Sequence, residues 1–183
     1  MVAVPALAQY SESFNFLKAV RERDGAKVSE IVSNPSSTAI NARDRASGET
    51  ALHILARGRD ASWMNFLIAH GARVDAQDNQ GNSPLMIASQ IGWTEGADLL
   101  LSRRANVNLA NNRGETPLIV AVQRRDIALV RMLASRGADA NRTDSVAGYS
   151  ALDYARRDNR AGPILRILQE RRQAQPSYGP PAR

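Results

Sequence analysis

An all-α solenoid of stacked helix-turn-helix units with hairpin-like connections is the fold class the residues predict, and three observations predict it. The phrases GETALHIL from Gly48, GNSPLMIA from Gly81, GETPLIVA from Gly114 and GYSALDYA from Gly148 share one grammar, and their glycines stand 33, 33 and 34 residues apart. Leu52, Leu85, Leu118 and Leu152 keep the same steps, while a second ladder of Asn41, Asp75, Asn108 and Asn141 ends segments such as GARVDA, RANVNL and GADANR. Self-similarity at such a step marks a repeat array, in which each unit covers its neighbour's apolar flank. The composition agrees. With 43% apolar and only 5% aromatic side chains, the 183 residues can build an aliphatic helical core.

Each unit follows from its residues. Thr50, Ser83, Thr116 and Ser150 stand where a hydroxyl accepts a bond from the first free amides of a helix. Pro84 and Pro117 follow at the first helical position, where no amide proton is needed. Leu52 and Leu55, or Leu85 and Ala88, then share one face at helical spacing. This first helix is expected to end near Arg59, Gly92, Arg125 and Asn159. A second helix follows, as in DIALVRMLASRG, with Ile127, Val130, Leu133 and Ala134 as its apolar side. Gly71 and Gly137 occupy the left-handed position that closes it. The polar, turn-rich residues beyond predict a hairpin whose tip needs a glycine.

With the T-P-L core of Thr116-Pro117-Leu118, the G-A-x-V/A-D/N endings and the 33-residue step, the units resemble ankyrin repeats. The resemblance covers about residues 41–170. It divides the chain into repeats at 41–77, 78–110 and 111–143 and a C-terminal capping repeat at 144–173, preceded by a degenerate N-capping unit at 13–40. Three departures stand out. The histidine that follows the leucine in this family survives only as His53, with Met86, Ile119 and Asp153 in its place elsewhere. Arg104 stands where Gly71 and Gly137 stand, so a side chain is forced toward a left-handed backbone. Gly96 falls mid-helix in register with Trp63 and Leu129, at a cost of about 1 kcal/mol against alanine; the indole of Trp63 is expected to cover the space it leaves.

The ends should be polar outside. FNFLKAVRERDGAKVSEIVSN aligns Phe16 with Leu52, Ala19 with Leu55 and Val28 with Met64, and leaves Arg21, Glu22, Arg23, Lys27 and Glu30 outward. Asn34-Pro35-Ser36-Ser37 reads as a turn. PILRILQERRQ, from Pro163, is a final helix with Arg166, Gln169, Glu170 and Arg171 outward. AQPSYGPPAR, 174–183, reads as a disordered tail. Residues 1–12 form an N-terminal segment with two readings. Ala6-Leu7-Ala8 before Gln9 matches a signal-peptidase site without the basic leader, so 1–8 are the end of a truncated signal peptide or a short frayed terminus. Localisation follows: cytoplasmic as the sequence stands, periplasmic on the first reading. Arginine outnumbering lysine, with only Lys18 and Lys27, together with frequent alanine, suggests a bacterial, GC-rich source.

Chemistry finds few residues to rest on. The absence of cysteine excludes disulfides, thiolate catalysis and cysteine zinc sites. His53 and His70 offer no metal pair, Gly48, Gly81, Gly114 and Gly148 form no phosphate loop, and Asp75 and Asp78 fall in the hairpins. The expectation is no catalysis, metal or cofactor. No apolar run approaches the roughly 20 residues of a spanning helix. The resemblance implies that hairpin tips and the exposed side of the first helices form a concave wall that binds another protein, as a monomer. The positions are Arg45, Ser47 and Glu49; Asn79, Gln80, Asn82, Gln90 and Ile91; Asn112, Arg113, Glu115, Gln123 and Arg124; then Tyr149, Arg157 and Asp158. A net charge of +6 leaves a second reading, in which Arg45, Arg57, Arg113, Arg124 and Arg125 bind nucleic acid or another anion. A structural piece of a larger assembly is a third.

Overall fold

The structure, a computed structural model, describes residues 6–174, with side chains placed for 12–170. Helices α1 (Ala6–Glu22) and α2 (Gly25–Ser33) form the first pair, and a short 3-10 turn at Ala39–Asn41 leads out of it. Four more pairs follow: α3 (Ala51–Arg57) with α4 (Ala61–Ala69), α5 (Pro84–Gln90) with α6 (Thr94–Ser102), α7 (Pro117–Gln123) with α8 (Ile127–Ser135), and α9 (Ala151–Arg157) with α10 (Gly162–Ala174). Inner helices α1, α3, α5, α7 and α9 pack each on the next, and α4, α6, α8 and α10 form a second layer behind them. The chain is therefore an all-α solenoid. Of the 1–12 segment, residues 1–5 lie outside the described residues and α1 already runs from Ala6. Of the 174–183 tail, all but Ala174 lies outside them as well.

The leucine ladder is the spine. Leu52, Leu85, Leu118 and Leu152 are each at most 4% exposed and belong to one continuous core. Met64, Ala97, Val130 and Ile164 form the matching column of the outer layer, each at most 1% exposed. Burying one such leucine or isoleucine contributes about 1.5–3 kcal/mol before ordering costs. Because every unit adds one residue to each column, stability accrues unit by unit. Phe16, Ala19 and Val28 continue both columns into the first pair, as the alignment of that segment predicts.

Hydroxyl caps open three of the inner helices. Ser83, Thr116 and Ser150 accept from the amides of Met86, Ile119 and Asp153 at 3.2, 3.3 and 3.2 Å. At α3 the capping differs: the Thr50 hydroxyl lies 2.9 Å from His53 Nδ1, which also accepts from the Thr50 amide at 3.1 Å. The outer helices use a second device. Asp24, Asp60 and Asp126 accept from the amides three residues on, at 3.0, 3.1 and 3.0 Å. In α6 that position is Trp93, which gives no side-chain cap.

Trp93 corrects one expectation. The indole over Gly96 is its own neighbour's, not that of Trp63: a Cβ on Gly96 would fall 2.0 Å from Trp93 Cε3, whereas Trp63 packs near Gly25. A second correction concerns α8, where Ile127 is 41% exposed and the buried stripe runs through Leu129, Val130, Leu133 and Ala134. Ile127 is the first helical residue, at the open end of that stripe, where solvent still reaches it. Arg104 is left-handed as expected, with φ 66°, and it has company in Arg23, Arg59 and Arg125 at φ 59°, 52° and 57°. Those three stand at the turns inside the α1/α2, α3/α4 and α7/α8 pairs. Arg59 donates to the Ile91 carbonyl at 2.7 Å, and Arg125 to Asp158 at 2.5 Å, so these two strained arginines tie their units to the next.

Candidate protein-binding surface

The hairpins are built by one acid or amide per unit. Asp44 Oδ1 accepts from the amides of Ala46 and Ser47, Asp78 Oδ1 from Gln80 and Asn82, and Asn111 Oδ1 from Arg113 and Glu115. Asp144 Oδ1 takes three, from Val146, Ala147 and Gly148. A short polar side chain that mimics a backbone turn does this at little steric cost. Arg21's guanidinium, with the Ser47 amide, holds the Asp44 carboxyl down to about 2. Burial opposes ionisation of Asp144, but the Tyr154 hydroxyl and the hairpin amides outweigh it and hold its carboxyl below the usual range.

Successive hairpins are sewn together. The Asn79 amide donates to the Ser47 carbonyl at 2.9 Å and its Nδ2 to Ala46 at 3.0 Å. One unit later, the Asn112 amide donates to Gln80 and its Nδ2 to Asn79, both at 3.0 Å, and the Ser145 amide donates to Arg113 at 2.8 Å. The tip glycines are required here for two reasons. Gly81, for example, has φ 77°, and a Cβ on it would lie 2.4 Å from Asn112 Oδ1. The second ladder sews the other end of the hairpins: Asn41 and Asn108 donate to the Gly71 and Gly137 carbonyls and accept from the amides of Arg73 and Asp139.

This stitching fixes a wall of hairpin tips and inner helices. Across it, residues eight apart face each other. Arg57 Nε meets Glu49 Oε1 at 2.7 Å, Gln90 Nε2 meets Asn82 Oδ1 at 3.2 Å, and the Arg157 guanidinium lies 4.5 Å from the centre of the Tyr149 ring. Glu115 instead accepts from Asn111 Nδ2 at 2.9 Å and stands 3.7 Å from Arg113. Two recesses open side by side along the wall and share Asn79 and Gln80. One, of about 410 Å³, reaches Ser47, Glu49 and Arg57; the other, of about 430 Å³, reaches Asn82, Gln90, Arg113 and Glu115.

The candidate positions therefore divide. Arg45, Gln80, Arg113, Gln123 and Arg157 are exposed, and Glu49, Gln90 and Tyr149 are half-buried on the wall. Asn79 and Asn112 are exposed but spend their amides on the seams, while Asn82 and Glu115 are buried beneath the surface, at 2% and 9% exposure. Arg124 lies beside Gly92 at the turn between α5 and α6, and Ile91 and Asp158 accept from Arg59 and Arg125 at the turns inside the helix pairs. Arg57 belongs to the wall although the hairpin-and-helix reading left it out; its offset of eight from Glu49 is the signal, equal to that between Asn82 and Gln90.

His53 is a structural part. It is fully buried, its Nε2 lies 2.8 Å from the Asn82 carbonyl of the next unit, and burial pushes its pKa down. With Nδ1 accepting from Thr50, Nε2 carries the proton, so the ring pins one hairpin to the next. Among the described residues, no group of three or more His, Cys, Asp or Glu could hold a metal ion, and no helix is long and apolar enough to cross a membrane.

A family model of ankyrin repeats in three copies matches residues 16–111, and one of ankyrin repeats in many copies matches 100–155. The first match begins in α1, so it takes in the first helix pair. With the paired helices, the sewn hairpins and these matches together, the chain belongs to the ankyrin-repeat proteins, whose repeats are general protein–protein interaction modules and typically non-enzymatic.

Proposed function

We propose that this chain is a non-enzymatic adaptor that holds another protein along its concave wall, the side formed by the hairpin tips and the inner helices α3, α5, α7 and α9. The observation that carries this reading is the pair of adjoining recesses around Asn79 and Gln80, whose walls are set by bonds between units rather than by a partner. A surface ordered before contact loses little conformational freedom on binding, so more of the contact energy survives as affinity. Its chemistry is carboxamide and guanidinium, planar donors and acceptors suited to peptide groups and polar side chains.

The nucleic-acid reading has less to stand on. Of its five arginines, Arg57, Arg113 and Arg125 stand within 4.0 Å of Glu49, Glu115 and Asp158, which offsets their field. Capture from a native lysate with the wild type, a Gln80→Ala/Arg113→Ala wall variant and an Arg131→Ala/Arg166→Ala variant of the opposite layer is the test. Loss of specific partners in the wall variant alone supports the reading. Equal partner sets in all three overturn it.

A further inference from the structure

The three wall pairs at an offset of eight are not equivalent, and the difference lies at the last. Arg57 is neutralised where it sits, because Glu49 meets its Nε at 2.7 Å. Arg157 has the same place on α9, but its opposite number is Tyr149, and the guanidinium carbon lies over the ring, 4.5 Å from its centre. Among the described residues, no carboxylate lies within ion-pair distance of Arg157.

The ring is itself held. Tyr154 meets Tyr149 edge-on at 5.6 Å and 84°, and the Tyr154 hydroxyl donates to Asp144 Oδ2 at 2.5 Å. Asp144 is buried at 4% exposure, and its other oxygen gathers the amides of Val146, Ala147 and Gly148. The hairpin thus fixes Asp144, Asp144 fixes Tyr154, Tyr154 braces Tyr149, and Tyr149 orients Arg157. Stacking uses the face of a guanidinium and leaves its in-plane N–H donors turned outward, so a cation that elsewhere would swing freely is presented as a fork. A fork of parallel donors matches a carboxylate in two bonds.

We infer that Arg157, stacked on Tyr149, is the specificity-determining contact of the wall and takes an Asp or Glu side chain of the bound protein. This rests on the adaptor reading and deepens it: the partner is a protein segment with an acidic residue at the α9 end. Charge complementarity carries the choice, since the Glu49–Arg57 pair at the other end is already satisfied and the amide pair between Asn82 and Gln90 carries no net charge.

A displayed library of random dodecapeptides, selected on the wild type with the opposite-layer variant as control, separates the outcomes. Selected peptides should carry Asp or Glu at one position, and replacing that residue by Asn or Gln should weaken binding about ten-fold, the worth of a charge-assisted pair. Arg157→Ala should lose the same factor and no longer distinguish acid from amide. Tyr149→Phe should keep the preference, whereas Tyr149→Ala, which frees the guanidinium, should lose most of it with the melting temperature little changed. Peptides that need Gln80 and Arg113 but show no acidic position overturn the fork and leave the adaptor reading standing. A library that yields no peptide dependent on the wall sinks both. Displacement of bound peptide by single-stranded DNA in an Arg157-dependent manner would reassign the fork to phosphate and overturn the proposal.

Discussion

Replacing Gly96 by alanine should destabilise the protein, although the same change in an ordinary helix stabilises it. Gly96 is the third residue of α6 and is buried, and the new Cβ would meet Trp93 Cε3 at 2.0 Å and Cζ3 at 2.2 Å. Helix propensity favours alanine by about 1 kcal/mol. Against it, a methyl forced into filled space costs about 1–3 kcal/mol, and expelling the indole, only 5% exposed, would cost about 3–5 kcal/mol, so the cheaper route is a strained shift. The net expectation is a loss of up to about 2 kcal/mol. In a Trp93→Asp background the outcome should reverse. Aspartate supplies the amide acceptor that Asp60 and Asp126 supply in the neighbouring units, the ring is gone, and Gly96→Ala should then gain about 1 kcal/mol. The coupling between the two positions is therefore about 1–3 kcal/mol, the overpacking cost itself. Urea unfolding of the four proteins, read by far-UV circular dichroism with a shared slope as the check on cooperativity, measures it directly. Equal effects of Gly96→Ala in both backgrounds would falsify the packing described for Trp93.

Arg104→Gly should stabilise by about 1 kcal/mol, because the exposed side chain adopts φ 66° where the equivalent positions are Gly71 and Gly137; an unchanged or lower melting midpoint counts against this. Asn112→Ala removes one seam bond and should cost about 1 kcal/mol, with faster amide exchange concentrated at the Gly81 and Gly114 hairpins rather than in the core; uniform acceleration would contradict the seam. For His53 the sign is set by burial. The folded state keeps the ring neutral while the unfolded chain protonates near pH 6.5, so stability is flat above that pH and declines as pH falls below it. A His53→Gln protein should lack that slope between pH 6.5 and 5. Asp44 acts with the same sign in a lower range: its contribution is present above about pH 4 and disappears as pH falls toward about 2, and Arg21→Ala should flatten that acid limb.

The repeat was legible because its causes are local. A hydroxyl before a helix, a proline at its first position and a leucine one residue later each have a mechanical reason inside a few residues, so Ser83-Pro84-Leu85 announces a helix without reference to anything distant. What stayed hidden depends on the neighbouring unit. Arg59 and Arg125 read as ordinary polar residues at a helix end, and nothing local says that they adopt a left-handed backbone or reach the unit beyond. Asn79 and Asn112 were legible as exposed hairpin residues, but their use in the seams depends on which carbonyls the preceding hairpin presents. Trp93 and Gly96 are three residues apart on one helix and could have been paired from sequence; register with Trp63 across units obscured the closer partner.

The seams between hairpins have a consequence for how such a chain can change its length. Asn79 grips Ala46 and Ser47 as Asn112 grips Asn79 and Gln80, so the two junctions are interchangeable. A duplicate of residues 78–110 spliced in before Asn111 would meet a familiar grip on either side and slot in as one more step. Lengthening by gene duplication thus needs no second mutation to repair the joint, and the reach of the wall becomes a quantity that recombination can tune by whole increments.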